Sequence, residues 1–375
     1  MHQVKPSSQY PWIQSPAVDS LLILAPPFLA VIAVLLFRDG MDNTTDIPLW
    51  AWVSFILCVD VAHVYSTTFR TYFNRAEFDE NRTLFTLVPL FSWLAGVLLY
   101  SIDPLIFWRV LAYTAVFHFI RQQYGFMMLY SRNENQQRRR WKWVDTSLIY
   151  LAAIYPIVFW HTHLPRNFHW FVDGDFIASL PQWVESVTLC MYLVAICLYV
   201  AKELFDATKY RQTCIPKHLI IIGTALSWYI GIVALNGDMA FTITNVIAHG
   251  VPYIGLIWIY GRKHSKKAQD QPIFRRVMFR HVFALSCIPL FVGTLLCLAY
   301  FEEGLWSGLI WRERMMFFKG FSVLPAITDH ATLAWVVPLL SLPQVTHYVL
   351  DGFIWKLRDR GAGWQSTVFS EGRAP

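Results

Sequence analysis

Four short stretches of this chain set a histidine beside a polar partner at helical spacing. "CVDVAHVYSTTFR" places Asp60 three residues before His63, and "VFHFIRQQYGF" carries His118, Arg121 and Gln122. "TNVIAHGVPY" sets Asn245 four residues before His249, and "QVTHYVLDGFIWKLRDR" sets Asp351 four residues after His347. Residues three or four apart share a helix face, so each imidazole has a polar neighbour on its own side. Imidazole and carboxylate together bind Fe, Mn or Zn in preference to Ca or Mg, and with an open position they serve non-haem iron. Carboxylate and histidine on facing helices of a bundle are also the architecture of di-metal proteins. The expected ligands are therefore His63, His118, His249, His347, Asp60 and Asp351, holding one or two ions. Arg121, Gln122, Asn245, Tyr65 and Tyr124 are expected to orient them from behind. Arg121 is expected to be buried and paired with Asp60 or Asp351.

The elements that must position these residues are membrane spans. The chain has 375 residues, 55% apolar, 17% aromatic and 15% charged. An ordinary soluble domain is about 25% charged, and amphipathic aromatics collect at bilayer interfaces. Ten apolar runs are each near the ~20 residues that cross a hydrocarbon core: 19–37, 48–70, 83–101, 104–130, 143–160, 186–204, 217–235, 240–261, 281–301 and 331–356. The first is read as a retained helix, because Pro26-Pro27 and the lack of a small-residue cleavage site do not suit a signal peptide. Lys and Arg crowd alternate connections, with Arg38, Arg166, Arg312, Arg314 and Lys319 as the outer exceptions. Basic loops face the cytoplasm, so both termini are expected inside, in a bacterial inner membrane. The expected fold is all-α: one helical transmembrane domain over residues 1–375, with outer loops at 161–185 and 302–330. The four histidine-bearing runs are the second, fourth, eighth and tenth, which all run the same way. At about 1.5 Å per residue, their imidazoles lie roughly 10–20 Å from the inner boundary and fit one layer. Pro252, Pro338 and Pro343 flank two of them and would bend those spans to make room for a cavity.

Simpler readings compete at each position. A lone intramembrane histidine packs and hydrogen-bonds, Asp60 and Asp351 would neutralise a cation, and Gln122 and Asn245 would join helices. The outer group His161, His163, His169, Asp173 and Asp175 resembles a Zn or Cu site but also an interfacial loop. "EEGLWSGLIWRERMMFFKGF" (302–321) reads as an amphipathic stretch in the headgroup plane. "RRRWKW" (138–143) and the basic run 262–280 read as solvated faces. No phosphate-binding loop, nucleophile elbow, H-E-x-x-H or C-x-x-C occurs. The six cysteines imply no disulfide framework, and the net charge of +6 reflects basic loops at anionic lipid and no nucleic-acid partner.

The arrangement resembles in kind the membrane-embedded non-haem iron oxygenases and desaturases that act on lipids or carotenoids. Desaturases carry H-x-x-x-H and H-x-x-H-H boxes, and this chain has neither. The resemblance therefore implies a reaction class and no residue roles. The expected function is a metal-dependent oxidoreductase, with non-haem iron, or else Zn or Mn, acting on a hydrophobic small molecule from the bilayer. A proton- or ion-coupled transporter using Asp60, His63, Arg121 and Asp351 is the alternative, and a b-type haem protein the third.

Overall fold

The computed structural model describes residues 11–134, 136–211, 213–267, 282–283 and 288–355. Among them every regular element is helical. In chain order the long helices are α1 (Pro16–Leu36), α2 (Leu49–Phe69), α3 (Arg82–Ile102) and α4 (Pro104–Tyr130). They continue as α5 (Lys142–Thr162), α6 (Gln182–Tyr210), α7 (Ile215–Ala234), α8 (Asp238–Lys267) and α9 (Ile288–Trp311). The last two are α10 (His330–Leu340) and α11 (Leu342–Ile354), bent by 44° at a one-residue break.

Eight of these are long and apolar enough to cross a membrane, and the bent pair makes nine if it is one span. Of the ten expected spans, α4 alone falls outside both counts. Its 27 residues exceed the ~20 that a bilayer core requires. Arg109, His118, Arg121, Gln122 and Gln123 make it too polar to qualify by composition. It starts where expected, because Asp103 accepts from the backbone N–H groups of Leu105 and Ile106, with Pro104 at the first helical position. The α10–α11 break follows Pro338 and precedes Pro343, which has no N–H to continue the ladder. Pro252, in contrast, lies inside a continuous α8.

α8 is the central element, with 83% of its apolar window buried. It packs against α1, α2, α4 and α7, while α11 closes on α2, α3 and α4. α5 and α6 pair at one flank, α7 joins them to α4, and α9 packs on α2. Large apolar side chains point outward on several helices, among them Leu29, Phe91, Leu98, Met191 and Leu204. A soluble monomer rarely presents such a surface, and it suits a helical membrane protein.

The 138–143 stretch departs from its expected solvated character. Arg139 and Arg140 are exposed, but Arg138 is buried, 3.0 Å from both Glu203 and Asp206 and 3.5 Å from Glu134. Burial works against its charge, and the carboxylates of Glu134, Glu203 and Asp206 prevail, raising its pKa above the ordinary arginine value. The network continues through Lys217, which is fully buried and reaches Glu203 at 2.5 Å, Glu134 at 2.9 Å and Asp145 at 3.5 Å. Lys202 bridges Asp145 and Glu203. Seven ionic groups thus tie α5, α6 and α7 to the turn after α4.

Two further expectations change. Residues 302–311 do not form an interfacial loop: they complete α9, with Glu302 buried. Most of the 262–280 run lies outside the described residues, but Lys263 is buried and donates to the Ile13 carbonyl.

Candidate metal centre

Four helices bring their histidines to one point. His63 comes from α2, His118 from α4, His249 from α8 and His347 from α11, all buried. One ring nitrogen from each lies within 4.8 Å of those of the other three. The rings form a closed cycle, His63–His249–His118–His347, with centroids 4.7, 5.0, 4.5 and 5.0 Å apart and every neighbour edge-on. His63 Nε2 and His249 Nε2 are 3.1 Å apart. Phe119 stacks on the His249 ring, with centroids 3.5 Å apart and planes inclined by 7°.

Each ring leaves one buried nitrogen without a hydrogen-bond partner: His63 Nδ1, His118 Nε2, His249 Nδ1 and His347 Nε2. An unsatisfied buried polar atom costs about 1–3 kcal/mol, so four at one place are a concentrated deficit. A cation that accepts imidazole lone pairs would relieve whichever of these nitrogens face it. Four buried histidines so placed could hold a metal ion.

A second tier of polar groups lies one turn beyond the rings. Each histidine is followed, four residues later, by a hydrogen-bonding side chain: Thr67, Gln122, Tyr253 and Asp351. Three of these form a chain. His347 Nδ1 lies 2.6 Å from Thr67 Oγ1, which lies 2.8 Å from Tyr253 OH, which donates to Asp351 Oδ1 at 2.5 Å. Because Tyr253 donates to Asp351, the donors have one consistent order. Tyr253 gives its proton to Asp351, Thr67 gives its own to Tyr253, and Thr67 accepts from His347 Nδ1–H. The neutral ring must then present its lone pair at Nε2, the atom left without a partner. The fourth member, Gln122, donates from Nε2 to the His249 carbonyl at 2.8 Å. Histidine meeting histidine and tier meeting tier show that α2, α8 and α11 run in the same direction here.

The two aspartates approach the imidazoles without joining them. Asp60 Oδ1 is 3.6 Å from His63 Nδ1, while Asp351 is 3.7 Å from His347 Nδ1 and 3.9 Å from His118 Nε2. The group within mutual ligand reach contains only histidines. Asp60 is the penultimate residue of a run of π-helical turns, Trp52–Val61, a local widening that is common near functional sites.

The expected supporting residues divide. Asn245 is buried, donates to the Phe241 carbonyl and leaves Oδ1 without a partner. Tyr65 packs in the apolar cluster of Trp52, Phe291, Leu295 and Ala299. Arg121 is corrected: it is exposed and makes no ion pair with either aspartate, donating instead to Tyr150 OH at 2.7 Å over the face of Tyr124. The outer-loop group does not converge either. His161 spends both nitrogens, on Tyr113 OH and the Ile157 carbonyl. Asp175 caps the backbone of Phe171 and Val172, and burial raises its pKa against those bonds.

A cavity of about 540 Å³ opens beside the imidazoles, with His118, Tyr253, Tyr348 and Asp351 at the centre's edge. It runs along α4 past Arg121, Gln122 and Tyr124 to Leu129, and Lys142 and Trp355 also line it. Such a volume is typical of small-molecule sites. Thr67, Tyr253 and the lining residue Tyr348 were not among the residues expected from sequence, although the four-residue offset marks the first two. Comparison with family models, with curated proteins and with solved structures finds no match to this chain.

Proposed function

We propose that this chain is a multi-pass membrane oxidoreductase that uses a metal ion held by His63, His118, His249 and His347 on a lipid-soluble substrate. The observation that carries the reading is the closed cycle of buried imidazoles opening through His118 onto the aromatic cavity. Imidazole sets suit Fe, Zn, Cu and Ni, and oxidation calls for a redox-active ion, so non-haem iron is the ion proposed, with Mn as the redox-active alternative; Zn, which has no redox chemistry, would fit the rings but not the reaction. Iron, when bound, supplies the electron transfer and oxygen chemistry that no protein side chain here provides. The chain's own residues do the rest. Thr67, Tyr253 and Asp351 fix the His347 tautomer, Asp60 faces His63 Nδ1, and Phe119 holds the His249 plane. The cavity walls keep the substrate beside His118 and out of water.

In the proposed topology α4 crosses with the apolar helices, the α10–α11 pair is one broken span, and both termini face the cytoplasm. Reporter fusions at each end test this; a reporter active outside at either end overturns it. Direct ring-to-ring contact leaves no slot for a porphyrin plate between any adjacent pair, which weighs against haem. Proton-coupled transport remains the competing reading, supported by Asp60 beside His63. Flux in liposomes that is lost in Asp60→Asn would favour it.

The decisive measurement is metal content together with an optical spectrum. About one non-haem iron per chain is expected, lost in His249→Ala and His347→Ala. Metal-free protein from an iron-replete culture, or unchanged metal in both variants, overturns the reading.

A further inference from the structure

The cavity has a chemical polarity that the imidazole cluster does not need. Arg121 opens onto it, one helical turn after His118. Its guanidinium carries five donors, and the partners observed are neutral: the Tyr150 hydroxyl at 2.7 Å and the Tyr124 face at 5.0 Å. No carboxylate among the described residues pairs with it. The nearest acid along the cavity wall, Asp351, already accepts from Tyr253. An intramembrane charge left without a counter-ion is costly and marks a ligand path. Beside Arg121, Gln122 has its amide fixed by donation to the His249 carbonyl, which leaves Oε1 buried and without a donor. Lys142 adds a second positive group farther along the wall. The remaining lining, Phe117, Met128, Leu129 and Leu256, is apolar.

We infer that the cavity takes a single-chain amphiphile with a carboxylate head, bound by the Arg121 fork, with Gln122 Oε1 accepting from an O–H near that head. This deepens the oxidoreductase reading by naming its substrate class. Carboxylate matches the planar fork of arginine in two parallel hydrogen bonds, and the apolar walls take the chain. Arg121 and His118 are three residues apart, about 4.5 Å along the helix axis. The carbons next to the head therefore lie beside the imidazoles, while the far end of the chain does not. A bilayer phospholipid could offer an anionic oxygen to Arg121 from its phosphate, so the test must separate the two sources.

The experiment is photolabelling of the purified full chain in neutral-lipid nanodiscs with a diazirine-bearing fatty acid. The chain-matched fatty alcohol serves as comparison, and labelled peptides are mapped by mass spectrometry. The fatty acid is expected to label residues 117–129 and 348–355, and unlabelled fatty acid to displace it. Arg121→Gln is expected to lower that labelling about tenfold while leaving alcohol labelling unchanged, and Arg121→Lys to restore it in part. Equal labelling by acid and alcohol, or no effect of Arg121→Gln, overturns the inference. So does displacement by diacyl phosphatidate as effective as by fatty acid, which would make Arg121 a lipid-phosphate contact. The measurement is repeated on chelator-stripped protein. Labelling that persists there supports the amphiphile site whatever becomes of the metal reading, and labelling absent with and without metal removes it alone.

Discussion

The hydrogen-bond chain behind His347 makes a prediction at single-atom resolution. Thr67→Val removes one hydroxyl and Tyr253→Phe another, and either frees the His347 ring to present the wrong nitrogen. Groups that orient metal ligands contribute about 10–100-fold in affinity, so each variant should lose iron to a chelator at correspondingly lower concentration. Because both act through one chain, the double variant should be little worse than either single one. Thr208→Val, at an exposed position on α6, should leave affinity unchanged. Affinity equal to wild type in both chain variants would refute the tautomer argument. The four histidines were legible in the sequence because a charged or imidazole side chain is conspicuous in an apolar run. Thr67 and Tyr253 were not, since threonine and tyrosine occur everywhere in membrane helices. Only their shared offset from a histidine distinguishes them.

At the scale of the element, the site depends on how closely α8 approaches α2. Gly250, adjacent to His249, faces α2: a Cβ there would stand 2.8 Å from Val59 Cγ1 and 3.2 Å from the Val59 carbonyl oxygen. Gly250→Ala must therefore push the helices apart by several tenths of an ångström, separating His249 from His63. It should lower iron occupancy and the melting temperature together. Gly293→Ala, with nothing within 4 Å of its added carbon, should change neither. Normal occupancy in Gly250→Ala would show that the ring cycle tolerates displacement. α4 shows why a hydropathy reading falters where function begins. Its start at Asp103-Pro104 and its length follow from the sequence, yet the polar groups that make it interesting also lower its apolar score. The break between α10 and α11 was foreshadowed by Pro338 and Pro343, whereas the angle depends on packing against α3 and α4.

The whole molecule separates its stabilising charges from its candidate chemistry. The ionic network lies on α5, α6, α7 and the turn after α4, and the imidazoles lie on α2, α4, α8 and α11. Lys217→Met leaves Glu203, Glu134 and Asp145 short of a cation, and breaking a buried pair this way costs about 3–5 kcal/mol. The expected result is a much lower melting temperature in detergent, with unchanged iron per folded chain. Iron loss equal to that of His249→Ala would show that the two regions are coupled. The network was not legible in the sequence, because its members are scattered between residues 134 and 217 with no common period, and Arg138 sits in a run that reads as solvated. The four imidazoles have a different distribution, reaching from the second to the last of the described helices. His63 is therefore synthesised long before the His347 that it meets in the fold. If the proposed ion binds through all four rings, capture waits until these distant segments are both in place, and a loaded chain would certify that they have found each other.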